Sequence, residues 1–119
     1  MGSVTFVDET TSGGRTGGWG MEIAEERLAL RELIRRRIFQ EVAEAAARGH
    51  AAVAQRLVRP AADGPVDPQV QTELALRAFE RNGFLVLVRD RQITELDEEI
   101  DLPLGTEVTF LKLVALVGG

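Results

Sequence analysis

The residues whose types and spacing point most directly to chemistry are Gly118 and Gly119, which follow Thr106-Glu-Val-Thr-Phe-Leu-Lys-Leu-Val114. That run reads as a final β-strand. Glycine loses the most backbone entropy on ordering and adds no side chain to a core, so a glycine pair after a strand is poor structural material. A thin, side-chain-free carboxylate is suited instead to entering the active site of another protein. A carboxylate is a poor electrophile until it becomes an acyl-adenylate, which takes ATP-Mg²⁺ from an activating enzyme. Glycine allows the close backbone approach that a narrow channel requires. On this reading Gly119 supplies the activated carboxyl and Gly118 the slack.

Other chemistry-bearing residues are thin. There is no cysteine among the 119 residues, which excludes disulfides, thiolate metal sites and thiol catalysis. His50 is the one histidine; it stands beside Gly49 at a helix end and has no nucleophile partner beyond common Ser and Thr. The acids Glu95, Asp97, Glu98, Glu99 and Asp101 lack the spacing and glycine of a calcium loop, and read as a solvated turn or as a patch that steers a basic partner. The segment from Thr10 to Gly18 holds glycines, Arg and Thr, but no Lys-Ser/Thr and no helix follow, so it reads as a hairpin loop and not a phosphate cradle. Arg35, Arg36 and Arg37 form a basic cluster, read as a solvated helix face or a partner contact. No acid/base constellation emerges, and the expectation is a protein that is not itself an enzyme.

Charge supports a protein partner. The net charge is −5; residues 1–59 carry nine arginines against eight acids, and residues 60–119 five basic residues against eleven acids. An acidic carboxy-terminal half argues against nucleic acid, whose phosphates need clustered Lys and Arg. No stretch approaches the roughly 20 consecutive apolar residues of a membrane span. The start, Met1-Gly-Ser-Val-Thr-Phe6, fits neither a signal peptide nor a myristoylation site. A soluble, cytoplasmic protein of one domain is expected, with no metal, nucleic acid or membrane.

The elements that must position the glycines follow from periodicity. Val4–Glu9 and Trp19–Ile23 alternate and form an expected hairpin. Leu30, Leu33, Ile34, Ile38 and Val42 recur at three- and four-residue steps, which predicts a helix from about Ala29 to Arg48. A second short helix is expected over residues 51–58, then a loop through Asp67. Asp67-Pro68 opens another helix, with Val70, Leu74, Ala78 and Phe79 as its apolar face and Asn82-Gly83 as its stop. Phe84–Val88 reads as a buried central strand, Arg89–Gln92 as a turn, Ile93–Leu96 as a short return strand, and Leu102–Thr106 as a further turn. Strand, strand, helix, helical excursion and three strands predict an α+β fold of β-grasp layout, with the first and last strands adjacent and parallel.

The segment Phe84-Leu-Val-Leu-Val-Arg-Asp-Arg-Gln-Ile-Thr-Glu-Leu-Asp97, with Asp101-Leu-Pro-Leu-Gly-Thr-Glu-Val-Thr-Phe-Leu-Lys-Leu-Val-Ala-Leu-Val-Gly-Gly119, resembles the end of the bacterial sulfur carriers. These are the ubiquitin-like β-grasp proteins that include the molybdopterin-synthase small subunit and the thiamine-pathway sulfur carrier. Met21-Glu-Ile-Ala with Leu28-Ala-Leu-Arg-Glu-Leu-Ile34 resembles that family's second strand and first helix. The likeness covers residues 3–36 and 83–119. Residues 38–82 hold a helical insertion instead, and Arg89-Asp-Arg91 stands where the family's turn often has Asn-Gly.

The resemblance implies two fates for an adenylated Gly119: sulfur capture as a thiocarboxylate, or acyl transfer to an amine as in protein conjugation. Implied partners are an adenylating enzyme and then a sulfur-accepting synthase or a conjugation target. No cofactor is bound by the carrier, and ATP-Mg²⁺ is consumed by the activating partner. The family docks through the sheet face near the tail, which on this chain involves Phe110, Lys112, Val114 and Leu116 or their alternates Leu111 and Leu113; Arg35 and Arg36 are expected partner contacts from the basic cluster on the helix, apart from the resemblance. A two-residue period alone does not say which set faces out. The competing expectation is a non-catalytic interaction module that binds its partner through the helical insert.

Overall fold

The computed structural model describes residues 2–11, 15–48 and 67–112. The expected helix over 51–58 lies outside the described residues. Strand β1 (Gly2–Thr10) pairs antiparallel with β2 (Arg15–Ile23). A short strand β3 (Arg27–Ala29) leads into helix α1 (Leu30–Arg48). Helix α2 (Pro68–Glu80) follows, then β4 (Phe84–Val88), β5 (Arg91–Ile93), β6 (Glu99–Asp101) and β7 (Thr106–Lys112). The fold is α+β. Its main sheet has the order β2-β1-β7-β4-β5, with β7 parallel to β1 and antiparallel to β4, so the first and last described strands lie side by side at the centre. A two-stranded sheet of β3 and β6 stands beside it.

Helix α1 covers one face of the main sheet. Leu30, Leu33, Ile34 and Ile38 are fully buried there, as their helical spacing predicts. The strands present Val4, Phe6, Val86, Val88, Val108 and Phe110 to the same core. A chain of aromatic contacts runs through it: Phe6 to Phe110 at 5.6 Å edge-on, Phe110 to Phe84 at 5.9 Å, and Phe84 to Phe79 at 5.8 Å. Each contact of this kind contributes about 0.5–1.5 kcal/mol beyond burial. Together they tie β1, β7, β4 and α2 into one body.

Local signals set the ends of α2. Asp67 Oδ1 accepts the Gln69 N–H at 2.9 Å, and Pro68 takes the first helical position. At the other end Asn82 adopts φ 62°, the Gly83 N–H reaches the Ala78 carbonyl at 2.7 Å, and the Asn82 N–H reaches Phe79 at 3.0 Å. This paired closure satisfies two helix carbonyls at once. A Cβ on Gly83 would meet the Ala78 oxygen at 3.1 Å, so the close approach selects glycine.

Four expectations change. The second strand begins at Arg15 and not Trp19, because Gly17 and Gly18 form an irregularity opposite Val7 within the ladder instead of belonging to the loop. The return strand runs Arg91–Ile93 and not Ile93–Leu96: Arg89 (φ 52°) and Asp90 (φ 67°) make a two-residue turn with both residues left-handed, so pairing restarts at once at Arg91. The β3–β6 ladder was not expected from the sequence, since three-residue strands carry almost no period; Leu28 opposite Ile100 supplies its buried pair. Finally, α2 buries Gln71, Thr72, Ala75 and Phe79 and leaves Val70 and Leu74 exposed. Its rotation follows Phe79, the largest apolar side chain of the helix, which must reach Phe84.

Arg89 occupies a backbone region that costs a residue with a Cβ about 1–2 kcal/mol. Replacing the turn by Arg89→Asn with Asp90→Gly therefore raises stability by about 1 kcal/mol, read as a higher urea midpoint at unchanged slope.

Candidate functional site

Strand β7 carries the chain toward Gly118 and Gly119, and the site is built at its far end. Phe110 lies opposite Asp8 in the parallel ladder and opposite Val86 in the antiparallel one. One step on, the Thr11 N–H donates to the Lys112 carbonyl at 3.1 Å and extends the β1–β7 pairing. Beneath this end lies Arg37 of α1, whose side chain is 1% exposed. Its Nη2 donates to Asp8 Oδ2 at 2.8 Å, its Nη1 lies 2.6 Å from Asp8 Oδ1, and its Nε donates to Glu41 Oε2 at 2.8 Å. The guanidinium carbon is 4.3 Å from the Phe110 ring centroid and 5.9 Å from that of Phe6.

The sequence builds this arrangement with simple means. Arg37 and Glu41 are four residues apart, so they share one helix face with Leu30, Leu33, Ile34 and Ile38. Asp8 alternates with Val4 and Phe6 and therefore points from β1 toward that face. Arginine alone offers a planar fork that engages two carboxylates while its flat face stacks on an aromatic ring. The three groups are buried and bonded to one another, so their chemistry is that of a clamp: they hold α1, β1 and the end of β7 in one register.

The expected site residues fall into three groups. Gly118, Gly119, Val114 and Leu116, with the alternate Leu113, lie outside the described residues, as does His50. Phe110 is corrected: it is 0% exposed, packed between Phe6, Phe84 and Arg37, and offers no partner contact. Its alternate Leu111 is half-buried and by strand alternation turns to the outer face of the sheet with Glu107 and Thr109, beside Leu85 and Leu87 of β4. Lys112 is half-buried at the end of β7. Arg35 and Arg36 remain at the surface but are engaged: Arg35 grips Glu32 through two bonds of 2.8 and 2.7 Å, and Arg36 bridges Glu32 and Glu25. Arg37 leaves the basic cluster altogether for the core.

Electrostatics follow those contacts. The Arg35 hydrogen bonds pull the Glu32 carboxyl from its ordinary 4.5 down to about 2, and Arg36 adds to the effect against partial burial. Bonding from Arg36 likewise lowers Glu25. Three acids of the run before β7 are also occupied: Arg27 donates to Asp101 at 2.7 Å, Arg31 to Asp97 at 2.8 Å and Arg91 to Glu98 at 2.6 Å. Sequence reasoning missed these pairs because their partners lie seven to seventy-four residues apart. Among the described residues no His, Cys, Asp and Glu cluster could hold a metal ion, and no helix is long and apolar enough to cross a membrane. Comparison with protein-family models, with curated proteins and with solved structures gives no match.

Arg37→Met leaves the Asp8 and Glu41 carboxylates buried without their cation and costs about 3–5 kcal/mol, measurable by urea unfolding. For Glu32 the folded carboxyl binds its proton less readily than the unfolded one, so the contribution is present above about pH 4.5 and is lost as pH falls toward 2. A stability-against-pH curve drops across that window, and Glu32→Gln flattens part of the drop.

Proposed function

We propose that this protein is a ubiquitin-like β-grasp carrier or modifier whose Gly118-Gly119 carboxylate is adenylated by a separate activating enzyme. The observation that supports the reading is the parallel pairing of β1 with β7 at the centre of a mixed sheet, next to a hairpin and under a crossing helix. That is the layout in which the closing strand delivers the tail from a rigid body. The clamp at Arg37 fits the same reading, since it fixes the last described turn of backbone before the tail. The partner surface on this reading is the outer sheet face at Leu111, Leu85 and Leu87, next to where the tail departs. Sulfur transfer and conjugation to an amine share the first step and remain the two outcomes.

A second reading has one observation in its favour. Val70 and Leu74 stand exposed on α2, an apolar pair without a buried role. They suit an interaction module that uses the helical insert and has no need of the glycines.

The full chain incubated with ATP-Mg²⁺ and the adenylating enzyme that co-purifies with it gains the mass of an adenylate at Gly119. From the native host it carries sulfur in place of one carboxyl oxygen, or it is found on lysines that retain the tryptic remnant Leu-Val-Ala-Leu-Val-Gly-Gly, which follows Lys112. Deleting Gly118 and Gly119 abolishes all three signals. An unchanged mass alongside an enzyme that visibly binds the chain ends the carrier reading. Full function in the deletion variant, lost on Val70→Ser with Leu74→Ser, establishes the module instead.

A further inference from the structure

The sheet opens early at its β5 edge. Strand β4 spans five residues, yet β5 pairs only with Val86, Leu87 and Val88. The two-residue turn at Arg89-Asp90 makes Val88 and Arg91 a hydrogen-bonded pair, and antiparallel alternation makes Val86 and Ile93 the next. The same alternation turns the N–H and C=O of Phe84 to this edge, one pair beyond the last. The chain that would continue opposite it has left: the Leu96 carbonyl accepts the Arg31 N–H at 2.9 Å, and the Glu98 carbonyl accepts the Leu30 N–H at 3.0 Å.

A groove of about 340 Å³ remains between Phe84–Leu85, the departing segment Thr94–Asp97 and the end of α2. Phe79 and Phe84 lie behind its floor with little surface exposed, and most of the exposed lining is polar. Its charged liners are Arg31, Glu80, Glu95 and Asp97. Arg31 is neutralised by Asp97. Glu80 and Glu95 are exposed and have no ion-pair partner among the described residues, so the groove carries two uncompensated negative charges.

We propose that this groove docks an extended basic peptide segment of another protein. The segment's backbone pairs with the N–H and C=O of Phe84 and fills the place that β5 vacates, the strand-addition mode of peptide recognition. Its Lys or Arg side chains reach Glu80 and Glu95. The unpaired backbone gives the pairing, and the two glutamates select the sign of the partner's charge. The inference is independent of any chemistry at the glycines.

The test uses the full ¹⁵N-labelled chain titrated with the acetylated probe Val-Lys-Val-Arg-Val-Lys-amide. Amide shifts concentrate at Phe84, Leu85, Thr94 and Glu95. Glu80→Gln and Glu95→Gln each weaken binding about two- to five-fold, and added salt weakens it further. Methylating the probe's backbone nitrogens along one edge removes binding, because the strand pair can no longer form. The acidic probe Val-Glu-Val-Asp-Val-Glu leaves the spectrum unchanged. Equal response to both probes, shifts centred on the outer face or on α2, insensitivity to backbone methylation, or no response to the basic probe at millimolar concentration overturns the proposal.

Discussion

The guanidinium of Arg37 sits where three elements meet, and the arrangement of the sheet depends on it. Two carboxylates and one cation removed from water carry a large desolvation cost, which only close pairing offsets. Asp8 and Glu41 supply that pairing from β1 and from the next turn of α1, while Phe110 offers its ring face from β7. A purely apolar helix stripe could slide along the sheet and find other packings of similar energy. A buried charge cannot, because a displacement of one helical turn would carry Arg37 and Glu41 together away from Asp8 and from the Phe110 ring. The clamp thus converts a greasy interface into one with a single register.

Around this centre the molecule has three different margins. The inner face is closed by α1. The outer face presents Leu85, Leu87 and Leu111 beside Glu107 and Thr109. The rim near β3 and β6 is held by arginine–carboxylate pairs: Arg27–Asp101 joins β3 to β6, Arg31–Asp97 joins the start of α1 to the loop after β5, and Arg91–Glu98 joins β5 to that loop. Each such exposed pair contributes little, about 0–1 kcal/mol. The segment 94–98 is drawn toward α1 and away from β4 by the backbone bonds from Leu30 and Arg31 to the Glu98 and Leu96 carbonyls, with Arg31–Asp97 beside them, so the sheet ends in a groove and not in a longer hairpin.

Much of this was legible in the sequence where period and punctuation agree. The stripe from Leu30 to Ile38, the Asp67-Pro68 cap, the Asn82-Gly83 stop and the apolar run Phe84–Val88 all rest on local signals, and each matches an observed element. The parallel neighbours β1 and β7 match what the assumed β-grasp layout implied; element order alone does not give them. What escaped had long-range causes. Arg37 reads as the third member of a surface cluster until Asp8, twenty-nine residues away, is brought beneath it. Val70 and Leu74 look like a buried face until Phe79 sets the helix rotation. The face presented by Phe110 depended on strand parity, which composition does not carry. Gly118 and Gly119 lie outside the described residues.

The position of β7 has a consequence for how the protein is made. Its partners Val4 and Phe6 leave the ribosome some hundred residues before Thr106 and Val108 do, and contacts so distant along the chain are slow to close. Until β7 arrives, β1 and β4 each present a bare hydrogen-bonding edge, the state in which nascent sheets are most prone to join one another. Synthesis of β7 is therefore the step that joins the β2-β1 and β4-β5 halves of the sheet into one.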